Sequence, residues 1–215
     1  MLRSEVGKAT VNLNEVYATI QGEGLLLGKP ALFIRVQGCN LRCPWCDQPS
    51  ALPFEKRPVE REDLLQEVER QPHKHIVITG GEPFTEPALA QLVKELLARG
   101  KSVQIETNGT LWQEAMEEVA SQVYITCSPK GVAGWQVHPR VRHYAREFKF
   151  VVDDSLTLQA LLLFEDVLKK GYVVLQPESN KPKYLQKALD LQRELLALDY
   201  EVRVIPQVHK LLGLR

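Results

Sequence analysis

Short runs of β-branched and apolar residues alternate along the chain with longer segments whose apolar positions recur every three or four residues. ALFIRV (Ala31–Val36), HIVIT (His75–Thr79), SVQIET (Ser102–Thr107), VYIT (Val123–Thr126), FKFVV (Phe148–Val152), YVVLQ (Tyr172–Gln176) and EVRVI (Glu201–Ile205) predict strands. Between them, Leu89, Leu92, Val93, Leu96 and Leu97 share one helical face, and Gly100 follows where a C-terminal cap belongs. Leu64, Leu65 and Val68 predict a helix over 60–69, and Ser155 is the expected cap of a helix over 155–170. A last helix is predicted over 184–198. Segment 138–147 fits a short helix or a loop, because Pro139 and scattered charges break the pattern. Strands alternating with helices imply βαβ units and a largely parallel sheet. The units are too few for a closed eight-fold barrel of about 250 residues, which leaves an open partial barrel or a doubly wound sheet. Either places its chemistry at the carboxyl ends of the strands, where GGEP, ETNG, CSPK and QP stand.

A length of 215 residues suits one domain over 1–215 whose core needs no disulfide staples. Lys plus Arg and Asp plus Glu are 27 each, so the net charge is zero. That argues against duplex nucleic acid and against an anionic membrane surface as direct partners. The first residues, MLRSEVGKATVNLNEVY, lack an apolar signal core, so the expected compartment is the reducing cytoplasm.

In that compartment cysteines suggest a metal rather than disulfides. Cys39, Cys43 and Cys46 form C-x3-C-x2-C in a loop directly after the first predicted strand, while Cys127 stands alone. Closed structural zinc needs four ligands, and Cys127 is only a remote candidate for the fourth. Three thiolates on one iron–sulfur cluster would instead leave one iron open, which marks chemistry rather than scaffolding.

The motif GCNLRCPWCD resembles the signature of the radical S-adenosylmethionine enzymes. The resemblance implies a [4Fe–4S] cluster on Cys39, Cys43 and Cys46 and S-adenosylmethionine on the unique iron. Reduction then yields a deoxyadenosyl radical that takes hydrogen from the substrate. It also implies cofactor contacts from Trp45, Asp47, the Thr79-Gly80-Gly81-Glu82-Pro83 turn, Ser128-Pro129-Lys130, and Gln176 with Pro177. Glu106-Thr107-Asn108-Gly109 fits the same role one strand after the turn. Adjacent glycines such as Gly80 and Gly81 let a backbone approach a ligand without a Cβ in the way. Gly22-x-Gly24 does not make a dinucleotide fingerprint, since Leu27 stands where a third glycine is needed.

Activating enzymes of glycyl-radical proteins share a similar cysteine loop and are the alternative. The chain ends favour another family. EVYATIQGEG over 15–24, GKP over 28–30 and QVHKLLG over 207–213 resemble the 7-carboxy-7-deazaguanine synthases. That resemblance implies an open partial (β/α)6 barrel, TIM-like and abridged, with residues 1–30 as a substrate-binding N-terminal extension. It implies conversion of 6-carboxy-5,6,7,8-tetrahydropterin to 7-carboxy-7-deazaguanine with loss of ammonia, a step toward queuosine. Magnesium, a homodimer and an electron donor such as flavodoxin or ferredoxin are implied with it. Ile20, Gln21, Gly22, Glu23, Arg35, Thr79, His209 and the terminal Arg215 are the implied substrate residues. Arg35 suits the substrate carboxylate because its guanidinium makes bidentate pairs. Two positions depart from the pattern: Gln48 replaces the Thr or Ser whose hydroxyl meets magnesium, and Val208 replaces a Thr.

Overall fold

The computed structural model describes residues 9–214. Among the described residues, nine strands form one mixed sheet in the order β3-β1-β2-β4-β5-β6-β7-β8-β9. They are β1 (Thr10–Ile20), β2 (Pro30–Val36), β3 (Pro58–Glu60), β4 (His75–Gly80), β5 (Ser102–Thr107), β6 (Tyr124–Cys127), β7 (Ala145–Val152), β8 (Val173–Pro177) and β9 (Arg203–Val204). From β2 to β9 neighbouring strands run parallel, while β1 is antiparallel to both β2 and β3. The helices are α1 (Arg61–Arg70), α2 (Leu89–Ala98), α3 (Pro139–Tyr144), α4 (Leu158–Leu162), α5 (Glu165–Leu168), α6 (Pro182–Ala197) and α7 (Val208–Leu211).

Side chains alternate across the parallel strands. Leu32, Ile34, Ile76, Ile78, Val103, Ile105, Ile125, Phe148, Phe150, Val173 and Leu175 face the helices and form one core with Leu64, Leu92, Leu96, Phe164 and Leu195. Each fully buried side chain of this size contributes about 1.5 to 3 kcal/mol. Alternate positions, Phe33, Arg35, Glu106, Thr126, Lys149, Val151 and Gln176, take the other face and line a cavity. Parallel register sets them side by side: Arg35 is level with Thr79, Glu106 with Thr126, and Val151 with Gln176.

Several sequence expectations shift. Thr10–Ile20, which the apolar pattern does not pick out, is the longest strand. Its pairing with β2 slips between Leu13 and Glu15, so the apolar phase flips. Val11 and Leu13 join the helix-side core before the slip, Val16 joins it after, and Tyr17 stacks on Phe33 on the opposite face. The helix expected over 155–170 is two short helices, capped by the Thr157 hydroxyl accepting from Ala160 N rather than by Ser155. Asp153 Oδ1 holds Ser155 instead. Segment 138–147 divides into α3 and the start of β7. EVRVI shrinks to the two-residue β9. Gly100, at φ +72°, ends α2 as expected. No helix among the described residues is long and apolar enough to cross a membrane.

Candidate active site

The cavity lies at the carboxyl ends of the parallel strands and spans about 1330 Å³, the open space at its mouth included. Of the residues singled out from sequence, Ile20, Gln21, Gly22, Glu23, Arg35, Cys39, Cys43, Trp45, Cys46, Asp47, Gln48, Thr79, Gly81, Ser128, Lys130, Gln176 and His209 line it. Glu82, Pro129 and Pro177 stand outside its wall, and Arg215 lies outside the described residues.

The cysteine loop is set by backbone contacts. Gly38 N donates to Ala51 O at 2.8 Å, and Glu82 N donates to Gly38 O at 2.8 Å. A Cβ at Gly81 would come within 2.1 Å of Gly38 O and 2.6 Å of Ala51 O, so only glycine lets the two loops meet. Cys39 is buried, while Cys43 and Cys46 are half-buried. Burial pushes the Cys39 and Cys43 thiols up, opposed at Cys43 by the Lys130 charge. No group of three or more His, Cys, Asp or Glu among the described residues closes on a single metal point. The three thiols share one wall of the cavity, and three soft donors fit a cluster with one iron open to that space. Cys127 is fully buried against the Gly109 backbone, away from that wall, and burial pushes its thiol far up.

Beside the loop, Trp45 Nε1 donates to Asp153 Oδ2 at 2.6 Å, and Lys130 Nζ sits 5.2 Å from the Trp45 ring centroid. Lys130 also donates to Ser128 Oγ at 2.6 Å. The Gln176 Oε1 atom is buried with no partner among the described residues, an acceptor facing a cavity it lines.

On the other side, Arg35 Nε donates to Glu15 Oε1 at 2.8 Å and its Nη2 to Tyr17 Oη at 2.6 Å. Burial pushes the Tyr17 phenol up to about 12, against the lowering effect of Arg35. Gln21 Nε2 donates to Gln104 Oε1 at 3.0 Å and Glu106 Oε1 at 3.2 Å, and its own oxygen accepts Glu23 N at 3.1 Å. That amide is therefore satisfied by the protein. Lys149 Nζ contacts Glu23 Oε2 directly. Burial alone would raise the Glu23 carboxyl, but the Lys149 charge and hydrogen bond outweigh it and hold it at about 2. His209 Nδ1 lies 3.9 Å from Glu23 Oε1, and its ring packs on Gly22, where a Cβ would come within 2.6 Å. Tyr17, Lys149 and Lys210 are cavity residues that sequence reasoning passed over.

A fold with a cysteine loop after its first parallel strand and a cavity over the strand ends defines a class, and comparison with known proteins agrees. The model of the Radical SAM superfamily matches residues 33–149. A 7-carboxy-7-deazaguanine synthase of Aquifex aeolicus is 57% identical over all of both chains. One from Hyperthermus butylicus is 36% identical over 93% of this chain and 92% of its own. The crystal structure of QueE from Escherichia coli superposes with a TM-score of 0.69 at 29% identity, covering 92% of this chain and 95% of that one. The chain belongs to the 7-carboxy-7-deazaguanine synthase family of radical S-adenosylmethionine enzymes. Its cofactors are accordingly a [4Fe–4S] cluster and S-adenosylmethionine.

Proposed function

We propose that this chain converts 6-carboxy-5,6,7,8-tetrahydropterin to 7-carboxy-7-deazaguanine with loss of ammonia, on the route to queuosine. The observation that carries the reading is one cavity bounded by a three-thiol wall on one side and Arg35, Glu23 and Lys149 on the other. A carboxylated pterin carries one anionic group and a hydrogen-bonding ring edge, and the second side offers both complements.

Cys39, Cys43 and Cys46 would hold the cluster, and Trp45, Asp47, Gly81, Ser128, Lys130 and Gln176 the sulfonium cofactor. When bound and reduced, that pair supplies the radical that takes hydrogen from the pterin. The chain's own groups do the rest. Arg35, fixed by Glu15 and Tyr17, receives the substrate carboxylate. Ile20 and Gly22 offer backbone, His209 a ring nitrogen and Thr79 a hydroxyl to the pterin. Gln48 offers an amide oxygen, a hard donor suited to magnesium but longer in reach than a hydroxyl.

In this reading residues 1–215 form one domain, an open partial (β/α)6 barrel in which β2 and β4–β8 are the six barrel strands. Residues 1–30 form the substrate-binding extension. The working protein is a cytoplasmic homodimer reduced by flavodoxin or ferredoxin. An activating enzyme for a glycyl-radical protein would act on a partner polypeptide instead, and nothing in the comparisons favours it. The deciding experiment is anaerobic reconstitution followed by addition of the carboxypterin. An ultraviolet-absorbing deazapurine is expected; cofactor cleavage without it would contradict the reading.

A further inference from the structure

Strand β7 carries two ionisable residues on its inner face, Glu147 and Lys149, and neither has been given a role of its own. Phe148, Phe150 and Val152 belong to the helix-side core, so Glu147 and Lys149 take the opposite face. Lys149 Nζ contacts Glu23 Oε2 and lies 3.8 Å from Glu106 Oε1. Two residues earlier, Glu147 Oε2 accepts Leu25 N at 3.0 Å and Tyr124 Oη at 3.2 Å. A Cβ at Gly24 would come within 2.0 Å of Glu147 Oε1. Both groups therefore grip the same loop, residues 21–25, from more than a hundred positions away in sequence.

The grip continues past the loop. Glu23 Oε1 accepts Gln207 Nε2 at 2.8 Å, and the same nitrogen lies 3.4 Å from Asp47 Oδ2, beside the last cluster cysteine. Val208 N donates to Gly22 O at 2.9 Å. A chain of polar contacts thus runs from β7 through Glu23 and α7 to the cysteine loop.

We infer that Lys149 is a positioning residue of the substrate site, holding Glu23 and Glu106 on one cation so that loop 21–25 and α7 keep the arrangement that receives the pterin. The substrate named here rests on the proposed function. Glu23 and Glu106 are carboxylates at one cavity wall and repel in a partly water-free site; one ammonium between them compensates both. Deleting it leaves an uncompensated charge, which is far costlier than never having had the pair. β7 pairs with β6 and β8 through its backbone, which any side chain at 149 would allow, so the sheet does not demand a lysine in the cavity wall.

The test compares reconstituted holoenzyme with Lys149→Met, Lys149→Arg and the double variant Lys149→Met/Glu23→Gln. Lys149→Met is expected to keep its iron, to raise KM for the carboxypterin about tenfold or more, and to yield less deazapurine per deoxyadenosine. Lys149→Arg is expected to restore most of the KM, because it keeps the cation. The double variant removes the ammonium and one of its two carboxylates, leaving Glu106 charged, and is expected to recover part of the thermal midpoint but not the KM. Hydrogen exchange of the amides over 21–28 and 207–212 is expected to speed up in Lys149→Met while β7 stays protected. A wild-type KM in Lys149→Met, or recovery of KM together with thermal midpoint in the double variant, would overturn the positioning role. If Lys149→Met does not fold, the arginine and double variants decide alone. If the natural enzyme makes no deazapurine, the reaction is wrong, and the exchange measurement still decides whether Lys149 fixes the loop.

Discussion

Glu82 Oε1 accepts the Thr107 hydroxyl at 2.7 Å, and its Oε2 accepts the Asn108 backbone N–H at 2.7 Å. The acid of the GGEP turn is thus fully buried and faces the next strand end rather than the cavity. It clamps the loop after β4 to the loop after β5, while Phe84 N donates to the same Oε1 at 3.0 Å. Burial pushes this carboxyl up, against those three hydrogen bonds.

Glu82→Gln should therefore destabilise the fold. Its NH2 end must meet a donor at either oxygen site, so one buried donor loses its acceptor, at a cost of about 1 to 3 kcal/mol. Urea unfolding measures this; an unchanged midpoint would show that the clamp contributes nothing.

Gly81→Ala should cost iron before it costs the fold. The added Cβ would meet Gly38 O at 2.1 Å and push the cysteine loop away. Overpacking of this kind costs about 1 to 3 kcal/mol. Iron per chain after reconstitution should fall well below the natural protein while circular dichroism stays near normal. Full iron loading would mean the loop tolerates displacement.

Cys39→Ala, Cys43→Ala and Cys46→Ala should each abolish the visible iron chromophore, because a three-ligand site has no spare ligand. Cys127→Ala should keep it, since that thiol is sealed beneath Gly109, and should lower stability by only about 1 kcal/mol. Bleaching in Cys127→Ala would mean the ligand set is wrong.

Arg35→Lys should weaken use of the carboxypterin with cluster content intact. A lysine cannot bridge Glu15 and Tyr17 and still offer a fork to a carboxylate. The expected loss in kcat/KM corresponds to about 1.5 to 3 kcal/mol. Unchanged kinetics would remove Arg35 from the substrate site.

Glu23 should also write itself into the acid limb of stability. In the unfolded chain it takes up a proton near its ordinary value of about 4.3, whereas Lys149 holds it at about 2 in the fold. Between those values the unfolded state binds more protons. The contribution is therefore fully present above about pH 4.3 and drains as the pH falls toward 2. Urea midpoints from pH 5 to pH 2.5 should fall less steeply in Glu23→Gln than in the natural protein. Parallel slopes would contradict the pairing.

The parallel strands and the cysteine loop were legible because both signals are local. FKFVV reads as a buried run from its own residues, and C-x3-C-x2-C needs no partner elsewhere. What was hidden depends on distance or phase. Lys149 sits in the middle of that same run, and its partner Glu23 is 126 positions away, so the run gives no sign that its second face is a charged wall. Thr10–Ile20 escaped because the slip at Asn14 reverses its apolar phase. The split of 155–170 came from Phe164, whose ring packs on Phe148 and Phe150 and fixes a break between α4 and α5. Resemblance gives the GGEP turn a cofactor role through its backbone; that the Glu82 carboxylate accepts from Phe84, Thr107 and Asn108 is not visible in the motif, because two of those partners lie on the next strand end.

A radical formed at the three-thiol wall should reach a pterin held by the opposite wall of the same cavity. Hydrogen transfer tests it most directly. Reconstituted enzyme is turned over with S-adenosylmethionine, a reductant and carboxypterin deuterated at its non-exchangeable ring positions, and the deoxyadenosine is weighed by mass spectrometry. Deoxyadenosine enriched in deuterium, formed together with the deazapurine, is expected. Deoxyadenosine without deuterium, formed at the same rate whether or not the pterin is present, would contradict it.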